Sequence, residues 1–175
     1  MSGAGQTDDA KWTYGFRVIP NQISRAQWRN TLTYRLHPRL MVGIEYNPLA
    51  SKVSPLCNLV AVTETRTRPA VVLGTSSDRI GTRHGQSFYG TVSKNVREWT
   101  RLPLEPYVGA SYGTYDDRVR PIGGLNVRFN PRWSATVLFD GVRVHSLLNY
   151  SYGRHQVGLV LDRSYNPGMS YSVSF

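Results

Sequence analysis

The sequence predicts an all-β protein, folded as a closed antiparallel barrel of about twelve strands, and three observations predict it. Apolar and polar residues alternate along many short segments, turn residues separate those segments, and most segments are about nine to eleven residues long. Alternation with a period of two is the pattern of a β-strand that has one apolar face. An α-helix is a poor alternative, because its apolar residues would recur every three or four positions.

The alternation is clearest at the two ends of the chain. Apolar residues take every second position from Trp12 to Val18, and the last seven residues, MSYSVSF, alternate without exception. The same pattern recurs from Leu40 to Tyr46, from Trp133 to Phe139 and from Val157 to Leu161. Each of these segments therefore predicts a strand.

Turn residues divide the chain by eleven connections, which predicts twelve strands. The predicted strands cover residues 11–19, 27–36, 39–47, 56–65, 69–76, 86–95, 105–114, 119–129, 132–140, 142–152, 155–163 and 168–175. The fourth to sixth lack a clean alternation, so counts from ten to fourteen stay open. Connections at HPR, RTRP, NPR and GRH are tight, whereas those at 48–55 and 77–85 are longer. This predicts short turns on one rim, the turn rim, and longer loops on the other, the loop rim.

The size of the chain, 175 residues and 19.7 kDa, fits one domain. We expect residues 1–10 to form a flexible N-terminal segment and residues 11–175 to form a single barrel domain. The one cysteine, Cys57, excludes an internal disulfide. The N-terminal residues lack the charged start and apolar core of a secretory signal, so a signal would have been removed from an exported form.

The apolar segments are too short for membrane-spanning helices, which need about 18 consecutive apolar residues. A membrane location would therefore require a closed barrel, because only helices and closed barrels satisfy every backbone hydrogen bond in lipid. In such a barrel, aromatic residues would form two belts near the rims. The belt at the turn rim would contain Trp12, Tyr34, Phe129, Trp133, Tyr150 and Phe175, and the belt at the loop rim Trp28, Tyr46, Tyr112 and Phe139.

The two faces of the predicted strands differ in chemistry. The apolar face is expected to meet lipid, and its candidates are Trp12, Phe16, Leu40, Ile44, Val137, Leu159, Tyr171, Val173 and Phe175. The polar face is expected to line the lumen, and its candidates are Arg17, Arg29, Arg35, Glu45, Arg128, Asp140, His145 and Asp162. A soluble sandwich or ligand-binding barrel alternates in the same way with its apolar set inside, so alternation alone leaves that alternative open.

The charged side chains of a narrow lumen suggest two readings. Paired long side chains could fill much of a twelve-strand barrel and seal it. Alternatively, the surplus of arginine could line a small pore that favours anions. The formal net charge of +10, supplied almost entirely by arginine, suits anionic solutes, polysaccharide or lipopolysaccharide. Because the basic residues are scattered, we do not expect nucleic acid as a partner.

The C-terminal MSYSVSF resembles the terminal signature of bacterial outer-membrane proteins, with Phe175 last. The segments GGLNVRFNPRWSATVLFDG and NYSYGRHQVGLVL more loosely resemble outer-membrane barrels linked to exopolysaccharide secretion, over about a third of the chain. The resemblance implies a Gram-negative outer-membrane location among membrane lipids and lipopolysaccharide. It also implies that the barrel-assembly machinery recognises the C-terminal strand.

The sequence contains no convincing catalytic constellation. His145 and Ser146 are neighbours on a predicted strand, so they point to opposite faces. His84 lies in a predicted loop, and with Asp78 it falls short of a usual metal-ligand set. We therefore expect neither enzyme activity nor a cofactor or metal. The expected function is a narrow passive channel or an envelope- or polysaccharide-associated scaffold; an outer-membrane lipid-modifying enzyme and a soluble ligand-binding barrel are the alternatives.

Overall fold

Twelve antiparallel strands form one closed barrel in the computed structural model, which describes residues 10–175. The strands are β1 (Trp12–Val18), β2 (Trp28–His37), β3 (Leu40–Asn47), β4 (Lys52–Val62), β5 (Ala70–Ser77), β6 (Gln86–Ser93), β7 (Leu104–Gly113), β8 (Arg118–Arg128), β9 (Trp133–Phe139), β10 (Val144–Tyr152), β11 (His155–Asp162) and β12 (Asn166–Ser174). Each strand pairs with its neighbours in sequence. The predicted fold class is confirmed. Residues 1–9 of the predicted N-terminal segment lie outside the described residues, and Ala10 is buried.

The barrel closes where the first strand meets the last. β1 and β12 pair antiparallel, with Tyr14 opposite Val173 and Phe16 opposite Tyr171. At the end of this seam the backbone groups of Trp12 and Phe175 exchange two hydrogen bonds, each 2.9 Å long. Every strand therefore has two paired neighbours, and the barrel has no free sheet edge.

The pairing register separates an inner from an outer wall. Residues directly opposite each other in paired strands share a face, and the face alternates along each strand. Glu45 and Asp162 are almost completely buried, whereas Ile44 and Val108 are more than half exposed. The buried, mostly polar set is therefore the inner wall and the exposed apolar set is the outer wall.

The connections depart from the predicted asymmetry between the rims. The loop rim carries residues 19–27, 48–51, 78–85, 114–117, 140–143 and 163–165, and the turn rim carries 38–39, 63–69, 94–103, 129–132 and 153–154. The longest connection among the described residues is 94–103, on the turn rim. It contains the one-turn helix α2 (Arg97–Thr100). Backbone hydrogen bonds from Val96 N–H to the Leu104 oxygen and from Lys94 N–H to the Pro106 oxygen join the two sides of this connection. It is therefore a hydrogen-bonded extension of the hairpin and not a tight turn.

The predicted loop at 48–55 is also shorter than expected. β4 begins at Lys52, after a one-turn 3₁₀ helix at Pro48–Ala50. The strand includes Pro55, although proline has no backbone N–H to donate to a ladder. In the structure Pro55 pairs with β3 through Ile44, whereas the ladder to β5 begins only at Cys57. The absence of an N–H at Pro55 therefore leaves no hydrogen bond to β5 unmade, because β5 does not pair with β4 at this residue.

Helices contribute little to the fold. Besides α2 and the 3₁₀ turn, the described residues contain only α1 (Ser24–Gln27), in the connection between β1 and β2. None of the helices within residues 10–175 is long and apolar enough to cross a membrane.

Two glycines on the inner wall allow their strands to approach closely. Tyr89 of β6 packs over Gly74, its direct partner on β5, and a Cβ at Gly74 would lie 2.5 Å from the tyrosine ring. A Cβ at Gly109 of β7 would lie 2.0 Å from the backbone oxygen of Gly90. Gly109 therefore has no room for a side chain, because the backbone of the neighbouring strand cannot move aside as a flexible side chain can.

We expect Gly109→Ala to lower the free energy of unfolding by about 1–3 kcal/mol, because the added methyl group pushes β6 and β7 apart. The matched control is Gly90→Ala on the paired strand, where the nearest atom to the new Cβ is a Leu73 side-chain carbon at 3.2 Å. Denaturant unfolding measures both. Equal stability losses in the two variants would contradict the assigned close approach.

Candidate functional site

Charged residues of the strands are confined to the inner wall. Within the described strands, no Asp, Glu, Lys or Arg occupies an outward register position. The inward set comprises Arg17, Arg29, Arg35, Glu45, Lys52, Glu105, Arg118, Arg120, Arg128 and Asp162. Seven of these are basic and three acidic, so the strand positions give the inner wall a formal net charge of +4. This wall is the candidate functional site.

The structure places the predicted lumen candidates in three groups. Arg17, Arg29 and Glu45 lie together on β1 to β3, and Asp140, His145 and Asp162 lie together at the loop rim. The third group, Arg35 and Arg128, lies at inward positions near the turn rim. All predicted lipid-facing residues within the strands take outward positions: Trp12, Phe16, Leu40, Ile44, Val137, Leu159, Tyr171 and Val173. Phe175 follows β12 and is exposed.

Four charged residues of the inner wall were missed by sequence reasoning. Arg118 and Lys52 lie where the sequence predicts connections, because the strand boundaries at β4 and β8 were placed too late. Arg120 and Glu105 lie within the predicted strands. The alternation along the strand could have identified them. Arg118 and Arg120 are an even number of residues from Arg128 on β8, so all three side chains point to the same face.

Glu45 is the centre of the first charged cluster. It is 1% exposed and accepts hydrogen bonds from Arg29 Nε at 2.6 Å, Asn47 Nδ2 at 2.9 Å and the Ser77 hydroxyl at 2.7 Å. The guanidinium of Arg29 also reaches the carboxylate through a second nitrogen at 2.6 Å. The carboxylate thus joins β3, β2 and the end of β5, and its charge is compensated by a two-nitrogen contact from arginine.

Arg17 lies beside this cluster without an acceptor. Arg17 is directly opposite Arg29 in the register of β1 and β2. The guanidinium of Arg29, rather than that of Arg17, forms the ion pair with Glu45. The Nε atom of Arg17 is shielded from solvent and has no hydrogen-bond partner. Like charges placed directly opposite one another repel. Within residues 10–175, the inner wall therefore has a guanidinium nitrogen without an acceptor at this point.

The connection between β1 and β2, residues 19–27, joins two sides of the loop rim. Arg25 is buried and donates to the backbone oxygens of Asp78, Arg79 and Thr82 at 2.7–2.9 Å. From the same connection Gln22 donates to Asp162 at the end of β11. Burial lowers the pKa of the Arg25 guanidinium from its usual value. The segment therefore spans part of the barrel mouth and is anchored at both sides.

His145 forms the second charged cluster at the loop rim. Its Nε2 lies 2.9 Å from Asp140 Oδ2, and its Nδ1 lies 2.9 Å from Asp162 Oδ1. His145 and Asp162 are almost completely buried. Burial alone would raise the pKa of Asp140, but hydrogen bonds from His145 and from the backbone N–H groups of Arg143 and Val142 hold it below its usual value. The cluster binds three elements of the rim together.

The histidines do not assemble a catalytic triad in the described residues. Both ring nitrogens of His145 face carboxylates, so neither is directed at a serine hydroxyl. His84 packs against Tyr115, with ring centroids 4.9 Å apart, while Asp78 accepts backbone N–H bonds from Arg79 and Tyr115. Within residues 10–175 no group of three or more His, Cys, Asp or Glu residues could hold a metal ion.

The sequence was compared with known proteins. No protein-family model matches it, and no curated protein is significantly similar to it.

We expect Glu45→Gln to lower the free energy of unfolding by about 3 kcal/mol, because the change removes the buried carboxylate that Arg29 binds and leaves the like charges of Arg29 and Arg17 opposite each other. The matched control is Glu98→Gln, which removes an exposed partner of Arg66 and should change stability little. Denaturant titration of both variants measures the difference. Wild-type stability of the Glu45 variant would contradict the central role of this carboxylate.

Asp140 is expected to contribute stability that depends on pH. Its pKa in the folded protein lies below the usual value of 3.8, so its contribution is complete above that value and is lost as the pH falls through the folded pKa. We expect Asp140→Asn to cost about 1–3 kcal/mol at neutral pH, and the difference from wild type to shrink below about pH 4. Unfolding titrations between pH 7 and pH 2 measure this. A difference that stays constant over that range would contradict the assignment.

Proposed function

We propose that this chain is an integral β-barrel of a bacterial outer membrane that acts as a narrow passive channel with a preference for anions. One observation carries the membrane part of the proposal. The apolar wall faces outward and the charged wall faces inward, which is the reverse of a soluble barrel with an apolar interior.

The distribution of buried residues supports this orientation. Among the described residues, the buried hydrophobic side chains are only Ala10, Ile19, Ala26, Leu56 and Val160. Large apolar side chains on the outer wall remain exposed, including Ile44, Phe88 and Met169. Soluble monomers rarely expose a continuous apolar surface of this kind. A bilayer would cover it without any rearrangement of the fold.

Aromatic pairs lie on the outer wall near both rims. Trp12 and Tyr34 have ring centroids 4.7 Å apart, and Trp133 and Tyr150 have centroids 4.9 Å apart, both near the turn rim. Near the loop rim, Trp28 packs edge-on against Phe16 at 5.6 Å. Aromatic side chains at the two water interfaces are typical of membrane barrels. This arrangement is consistent with two interfacial belts.

Polar groups on the outer wall are satisfied locally. Asn30 faces outward on β2, and the hydroxyl of Tyr14 on β1 donates to its side-chain oxygen at 2.8 Å. Such pairing reduces the cost of a polar side chain in lipid, where water cannot act as partner. It agrees with a lipid-facing wall.

The preference for anions follows from the inner wall. Its strand residues carry a net positive charge, and Arg17 has no acceptor among its neighbours. Arginine-lined pores favour anions, and the effect weakens as salt screens the charges. Narrowness follows from the segment 19–27, which is tied across the loop rim by Arg25 and Gln22.

A sealed scaffold for envelope or polysaccharide assembly is the second candidate. The observation that favours it is the same closure of the loop rim, since the clusters around Glu45 and His145 consist of paired side chains that resist hydration. Both as a channel and as a scaffold, the barrel is proposed to contact outer-membrane lipids and lipopolysaccharide. The proposed contact for the barrel-assembly machinery is β12.

Lipid-modifying catalysis is a weaker candidate. It would require a nucleophile beside a histidine that is free to accept its proton. His145 has carboxylates at both ring nitrogens, and the Nδ1 of His155 lies 2.7 Å from the Tyr171 hydroxyl on the outer wall. We therefore propose no enzymatic role.

Leu159→Arg tests the membrane assignment. Leu159 lies at the middle of β11 and faces outward, so an arginine there should cost about 2–4 kcal/mol in lipid. The matched control on the same strand is Gln156→Arg, which faces inward and should cost less. Unfolding in lipid vesicles, followed by heat-modifiable migration on gels, measures both. Folding of the wild type in detergent-free buffer, or equal losses in both variants, would contradict the proposal.

The double variant Arg35→Ser and Arg128→Ser tests the channel. Both residues lie on the inner wall near the turn rim, away from the buried cluster at Glu45. In planar bilayers under a salt gradient, the wild type should show a small anion preference, and the variant should shift the reversal potential toward cations. Arg154→Ser, in an exposed turn, is the control. A wild-type barrel that inserts without conducting would favour the sealed scaffold.

A further inference from the structure

Arg17 is a cation of the inner wall whose Nε has no acceptor among residues 10–175. Arg17 projects from β1 with Arg29 directly opposite on β2 and Ser170 directly opposite on β12. Its solvent-shielded Nε has no acceptor. A guanidinium has five N–H donors and stays charged in proteins, so burial without an acceptor is costly.

Glu45 and Asp162, the inner-wall carboxylates of the described residues on this side of the barrel, have partners other than Arg17. Glu45 binds Arg29 through two nitrogens and also accepts from Asn47 and Ser77. Asp162 is bound by Gln22 and lies 2.9 Å from His145. A further cation, Arg25, lies in the segment above and is held by backbone oxygens rather than by a carboxylate. The positive charge near Arg17 therefore exceeds the negative charge.

The chemistry of this position selects its ligand. Arginine binds planar or tetrahedral oxyanions through parallel N–H bonds, and carboxylate and phosphate groups fit that geometry best. Ser170, on the other side of Arg17, faces the same wall and offers a hydroxyl donor. A single oxyanion would thus meet donors from two strands and would relieve the repulsion between Arg17 and Arg29.

We propose that Arg17, together with Arg29 and Ser170, forms a binding site for one oxyanion group, carried by a small carboxylate or phosphate solute. The site deepens the proposed channel function, on which its role in transport rests. It gives the barrel a discrete binding step beneath the segment 19–27, rather than a merely diffuse positive potential. Binding itself needs only the folded barrel.

The test measures oxyanion binding by the full chain folded in detergent micelles. Thermal unfolding is followed at constant ionic strength while chloride is replaced by inorganic phosphate in one series and by acetate in another. Both oxyanions should raise the midpoint of wild type and of the control Arg154→Gln. Phosphate as the stronger ligand would indicate phosphorylated solutes, and acetate would indicate carboxylates; either outcome supports the site.

Arg17→Gln separates binding from a structural role. Because the Nε of Arg17 has no acceptor among the described residues and Arg17 faces Arg29, its replacement should leave the midpoint in chloride unchanged or raise it. The same replacement should weaken oxyanion binding about 10- to 100-fold, as expected for loss of a charge-assisted pair. An oxyanion effect equal to that of wild type in the Arg17→Gln variant would overturn the proposal. So would a large drop of its midpoint in chloride.

A second measurement covers the case in which Arg17→Gln does not fold. Isothermal titration of folded wild type with inorganic phosphate should give saturable heat, and Arg17→Lys, which keeps the charge but loses the paired N–H geometry, should bind more weakly. Absence of saturable heat in wild type would overturn the site. This result is independent of conductance, so a barrel that binds phosphate without conducting would contradict the channel alone.

Discussion

Strand register controls the chemistry of both walls of this barrel. Because successive side chains on a strand point to opposite faces, a shift of one residue would exchange the apolar and charged sets along that strand. The pairing of β1 with β12 completes the set of ladders, so the register of each strand is held from both sides. Every other property of the molecule depends on that alternation, including its apolar exterior and its positive interior.

The inner wall shows how a barrel tolerates many buried charges. Glu45 is compensated by Arg29 and by two neutral donors, and His145 lies between two carboxylates. Breaking such a pair is costly because the remaining charge stays buried. Arg17 differs from these residues, since its Nε has no acceptor in the part of the chain that the structure describes. Departures from complete pairing are where functional sites are expected.

The segment between β1 and β2 links the His145 cluster to the connection between β5 and β6 at the loop rim. It contacts Asp162 through Gln22 and the connection between β5 and β6 through Arg25. A movement of this segment would change access to the inner wall and would also disturb the partners of His145. Under the proposed function, the contacts of Gln22 and Arg25 therefore affect both the conductance of the barrel and the stability of its loop rim.

The alternation of residues determined the fold class, because a period of two fixes strands and their faces without reference to tertiary contacts. The strand count also followed from turn residues, although β4 begins at Lys52, before the predicted start at residue 56. Sequence could not decide which charges meet. Arg17 and Arg29 are twelve residues apart in the chain, and only the register places them directly opposite each other.

The sequence by itself thus determined an alternating, arginine-rich all-β chain whose two faces differ in polarity. The tertiary structure decided which face is buried, how Glu45 is shared between strands and how Gln22 and Arg25 tie the segment 19–27 across the rim. The physical reason is that alternation is local, whereas closure and charge pairing join residues far apart in the chain.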